Sequence, residues 1–79
     1  MSKRIDTIKK AMIELLDKNE KERSLPVISV SQVSIWATNK GLSHTLKEIS
    51  IALTELIKEG ELEVHAPTSQ YVAFRRPKS

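Results

Sequence analysis

Few side chains in this 79-residue chain could do covalent or metal chemistry. His44 and His65 are the only imidazoles, they stand far apart, and there is no cysteine. Thiolate nucleophiles, disulfides and zinc-thiolate sites are therefore excluded, and no His-x-x-x-His pair offers a metal two ligands on one helix face. Gly41 and Gly60 are isolated, so no glycine-rich loop is available to cradle a phosphate. A chain of this length has room for one modest core and little for a pocket ringed by catalytic groups. The expectation is a binding module rather than an enzyme, with no cofactor, metal or small-molecule ligand.

A second group of residues points to binding a polyanion. Thirteen Lys and Arg against ten Asp and Glu leave a net charge of +3. The basic residues concentrate at Lys3, Arg4, Lys9 and Lys10 and again at Arg75, Arg76 and Lys78. Between them, Ser43 or Thr45 can cap a helix, and Thr45 with Glu48 reads as a capping box. Projected at 100° per residue, His44, Lys47, Ile51, Thr54 and Lys58 share the face opposite the apolar one, with Glu48 and Glu55 at its margin. Lys47 and Lys58 could meet phosphates, and His44, Thr54 and the Ile51 methyls could reach base edges. Ile51 gains nothing from water there; a thymine methyl, a subunit interface and Ile35 are alternative partners for it. The C-terminal stretch adds Thr68, Ser69 and Gln70 at a polar tip, and Arg75 and Arg76 could form forked pairs with phosphate.

The elements that must carry these residues follow from periodicity. Ile5, Ile8, Met12, Leu15 and Leu16 line one side of a first helix over about 3–18. Asn19 to Ser24 has no apolar residue and reads as a solvated loop, with an extension of the first helix as the alternative, and Leu25-Pro26-Val27-Ile28 can be an edge strand at most. Ser29 with Gln32 reads as the capping box of a second helix, whose buried stripe is Val30, Val33, Trp36 and Ala37 and which ends at Gly41. A third helix follows after a tight turn at 40–42, burying Leu46, Ile49, Leu53, Leu56 and Ile57 with Leu42 and Ala52, and stopping at Gly60. Leu62 and Val64 alternate with Glu61, Glu63 and His65, and Val72 and Phe74 with Tyr71, Ala73 and Arg75, which predicts a β-hairpin around a polar tip at Ala66-Pro67-Thr68-Ser69.

From Ser29 to Arg76 the chain resembles the winged helix-turn-helix DNA-binding superfamily. Ser29–Lys40 falls in the position of its second helix, Ser43–Glu59 in that of its recognition helix, and Leu62–Arg76 in that of its wing. The resemblance implies an α+β fold, with three helices, a small three-stranded antiparallel sheet and a C-terminal β-hairpin wing. It also implies a transcriptional regulator acting as a dimer. The stretch from Lys47 to Leu62 is similar to the winged helices that bind Z-form nucleic acid. Ser50 and Thr54 replace that family's asparagine and tyrosine, so only the fold carries over.

One domain over residues 1–79 is expected, with 1–3 and 77–79 as flexible ends. No apolar run approaches bilayer length, and a cytoplasmic location is expected. The expected partner is double-stranded DNA, bound by a homodimer paired through Ile13. The alternative is a winged-helix protein–protein interaction module without DNA binding, using Ile51, Ile35 and Trp36.

Overall fold

A computed structural model of the chain describes residues 3–22, 27–68 and 71–77. Three helices, α1 (Lys3–Glu22), α2 (Val30–Asn39) and α3 (Leu46–Lys58), precede two strands, β1 (Glu63–Thr68) and β2 (Tyr71–Arg75). The fold is the expected α+β arrangement, with an antiparallel hairpin at the C-terminal end.

The core lies where α1 crosses under α2 and α3. Ile8, Met12 and Leu16 from α1 meet Val33 from α2, Ile49, Leu53 and Leu56 from α3, and Ile28, Leu62 and Phe74 from the extended segments. These side chains recur at helical spacing, and removing each large one from water contributes about 1.5–3 kcal/mol. In a domain this small, that burial is the main force against chain entropy.

The first helix runs one turn further than its polar end predicts. Asn19 is buried, and its side-chain Nδ2 donates to the Val27 carbonyl at 2.8 Å, which holds the last turn of α1 against the returning chain. Glu20, Lys21 and Glu22 are good helix formers, so nothing intrinsic stops the helix at Lys18. Residues 23–26, including the first half of the expected edge strand, lie outside the described residues.

The expected three-stranded sheet is a two-stranded hairpin with one isolated bridge. Ile28 and Phe74 exchange both backbone hydrogen bonds, at 2.8 and 2.7 Å. The next residue, Ser29, already caps α2, so the chain leaves the sheet after a single pair. Phe74 thus has neighbours on both sides, whereas among the described residues β1 has only β2 beside it. Val64, opposite Phe74 on that outer strand, is 53% exposed, and Val72 is also exposed, whereas Ala73 and Phe74 are buried. A register shift between His65 and Thr68 carries β1 into the segment read as the hairpin tip.

Both later helices close on a positive-φ glycine. Gly41 and Gly60 have φ of 73° and 78°, and the amides of Leu42 and Glu61 reach back to the carbonyls of Ala37 and Leu56 at 2.9 Å. This six-to-one bond satisfies a terminal carbonyl at a backbone angle that side-chain-bearing residues rarely adopt.

Candidate nucleic-acid interface

The third helix starts later than a Ser43 cap would require. Thr45 is the N-cap: its side chain accepts from the Glu48 amide at 3.1 Å, and the Glu48 carboxylate accepts from the Thr45 amide at 2.9 Å. The capping box forms as read. Ser43 and His44 therefore belong to the connection from α2 rather than to the helix face. At Ser29 only half of a box forms; the Gln32 amide reaches the Ser29 hydroxyl at 3.3 Å, while Gln32 Oε1 is buried without a partner among the described residues.

His44 is drawn inward. Its Nδ1 lies 3.0 Å from the Leu42 carbonyl and its Nε2 3.1 Å from the Ser34 hydroxyl. A carbonyl can only accept, so Nδ1 carries a hydrogen, and in the neutral ring Nε2 accepts from Ser34. The ring ties the connection to α2 instead of standing with Lys47. Ser43 is exposed beside Lys3, Arg4 and Thr7, which brings the connection against the basic start of α1.

Lys47, Ser50, Ile51, Thr54 and Lys58 do share one exposed face of α3, around a shallow depression with Glu55 at its edge. Ser50 was not among the residues singled out from the sequence. Its position three after Lys47 and four before Thr54 is the helical signal that would have placed it on this face. Thr54 is exposed, but its hydroxyl donates to the Ser50 carbonyl at 2.9 Å.

The acids of this helix, Glu55 at the edge of that face included, pair with cations of α1. Glu48 meets Arg4 at 2.9 Å, and Lys9 lies 2.6 Å from Glu59 and 3.4 Å from Glu55. The Glu59 hydrogen bond, opposed by burial and supported by Glu55, holds the Lys9 ammonium above its ordinary pKa. Lys47 and Lys58 make no ion pair among the described residues, so the exposed face carries two uncompensated positive charges. Two residues expected in the core of α3 are instead accessible: Leu46 is 66% exposed at the first turn, and Ile57 lies at the edge of the buried stripe.

The hairpin arginines are committed within the molecule. Arg75 Nε donates to Glu63 at 2.6 Å across the strands, and Arg76 spans Glu20, at 2.9 Å, and Asp17 on α1. Hydrogen bonding to Glu20, ahead of the Asp17 contact, raises the Arg76 pKa further above its already high value. Phosphate contact by these guanidiniums must use the N–H donors that those pairs leave over, or displace the carboxylates. Thr68 lies at the end of β1 opposite Tyr71, while Ser69 and Gln70 fall outside the described residues.

Elsewhere, Lys18 and Lys40 lie 5.2 and 4.9 Å from the centroid of the Trp36 ring, which covers the indole with cations. Among the described residues no group of three or more His, Asp or Glu could hold a metal ion, and no helix is long and apolar enough to cross a membrane. Fold and surface together define a small α+β domain with one helix face of uncompensated positive charge. Comparison of the chain with protein-family models, curated proteins and solved structures finds no match.

Proposed function

We propose that this chain is a double-stranded DNA-binding protein of the winged-helix kind, a small cytoplasmic transcriptional regulator. In this reading α3 enters the major groove and the hairpin lies alongside. One observation carries it: every carboxylate of α3 and its C-cap is held by a cation of α1, while Lys47 and Lys58, on the exposed face that Glu55 borders, make no ion pair among the described residues. A helix sorted in this way turns a nearly balanced sequence into a positive surface where a groove could accept it. Fluorescence anisotropy with a labelled random-sequence duplex tests the reading. Binding at low salt that weakens steeply as salt rises is expected, and no binding at low salt refutes it.

The protein acts as a homodimer in this proposal, which doubles the bases read without enlarging the chain. Ile13 supports the pairing surface: it is only partly buried and lines a cleft with Lys3, Lys10, Leu56 and Glu59, on the α1 side of α3. Paired there, two copies keep both α3 faces free. Sedimentation of wild type and Ile13→Glu at micromolar concentration decides it; a monomeric wild type ends the dimer, and a mutant that still pairs moves the interface.

A second reading has its own support. Ile35 at 63% and Leu46 at 66% exposure, with Ile51 and Ile57 partly exposed, give α2 and α3 apolar surface that a protein partner could cover. Binding through it would respond weakly to salt.

A further inference from the structure

Hydrogen-bonded reading of bases in the major groove relies mainly on Arg or Lys forks to guanine and on Asn or Gln to adenine. The exposed face of α3 has no Arg, Asn or Gln; it offers Lys47, Ser50, Ile51, Thr54 and Lys58. Lys47 and Lys58 are eleven residues apart, about 16 Å along a helix at 1.5 Å per residue. That exceeds the roughly 12 Å width of the major groove, so ammoniums at the two ends can reach the phosphates of both strands.

What meets the bases is then the middle of the face, and its chemistry is apolar. Ile51 is 38% exposed there. Thr54 has spent its hydroxyl hydrogen on the Ser50 carbonyl at 2.9 Å, which leaves its methyl as the group that can gain by burial. Ser50 is short and lets the helix approach closely. His44, which could otherwise donate to a base, is engaged with Ser34 and Leu42, so between the lysines the short Ser50 hydroxyl is the polar group beside the Ile51 and Thr54 methyls. On the major-groove edge of DNA the one apolar feature is the C5-methyl of thymine.

Resting on the DNA-binding reading above, we propose that Ile51, with Thr54 beside it, is the specificity-determining contact of this domain and selects thymine by burying its C5-methyl. Lys47 and Lys58 supply affinity without sequence preference, and the apolar centre between them supplies the preference.

The test uses the full chain and a duplex recovered from a random pool by selection on the wild-type protein, which is expected to be enriched in thymine. The same duplex is then made with deoxyuridine for thymine, which deletes only the methyls. Wild type should bind the uridine duplex more weakly by about fourfold for each methyl contacted. Ile51→Ala, at an exposed position, should keep the circular dichroism of the wild type and bind the two duplexes within twofold of each other. Equal wild-type affinity for both duplexes, with steep salt dependence retained, overturns thymine selection and leaves DNA binding standing. A thymine preference that survives undiminished in Ile51→Ala also overturns it, since the methyl would then act through duplex shape. A pool that is not enriched in thymine overturns it as well. Absence of salt-dependent binding to any duplex overturns the DNA-binding reading itself.

Discussion

Replacing Lys47 and Lys58 together by alanine separates phosphate contact from fold more sharply than any other pair of substitutions. Both side chains are exposed and make no ion pair among the described residues, so their loss should change stability by no more than about 0.5 kcal/mol. Each phosphate contact to duplex DNA contributes about 0.9 to the slope of log affinity against log salt. The double variant should therefore have a slope shallower by about 1.8, and each single variant by about 0.9. Over a rise from about 50 to 200 mM salt, each contact accounts for a factor of about 3.5 in lost affinity and the two for about 12. Anisotropy titrations at four or more salt concentrations measure this directly. Lys10→Ala on α1 is the control, because Lys10 is exposed in the cleft on the other side of α3 and should leave the slope unchanged. A double variant with the wild-type slope would refute the assignment of this face to phosphate, however strong the binding.

Three further perturbations address what holds the face in place. Asn19→Ala strands the Val27 carbonyl, and urea unfolding should show a loss of about 1–3 kcal/mol; a loss under half a unit would make the contact incidental. Arg76→Ala removes the ties to Glu20 and Asp17, which are partly exposed, so stability should fall by no more than about 1 kcal/mol and less at high salt. DNA affinity should stay the same in that variant, whereas a clear drop would mean that Arg76 leaves its carboxylates for phosphate. Lys9 has a folded-state pKa above 10.5, so its contribution is complete below the unfolded value and disappears as pH rises through the folded one. The stability gap between wild type and Lys9→Met should therefore be constant near neutrality and close above pH 10.5, and a gap that persists in strong alkali would contradict it.

Much of this architecture is encoded over a few residues at a time. Thr45 and Glu48 cap each other across one turn, Gly41 and Gly60 close helices that could not continue past them, and the stripe Ile8, Met12, Leu16 repeats with the helix itself. Interactions between neighbours in the chain leave their mark in spacing, and for that reason the three helices, the hairpin and the shared face of Lys47, Ile51, Thr54 and Lys58 were legible in the amino-acid sequence. Tertiary structure decided the rest. Asn19 stays helical because the Val27 carbonyl is there to receive it, and His44 turns inward because Ser34 and the Leu42 carbonyl hold its ring. Arg76 has carboxylate partners more than fifty positions away, so its basic character reads as free charge until α1 is packed beside it. Leu46, Val64 and Val72 follow the period of apolar residues yet are left exposed among the described residues. Periodicity assigns a side chain to one side of its own helix or strand. Whether that side meets core, carboxylate or solvent depends on where the other elements come to rest.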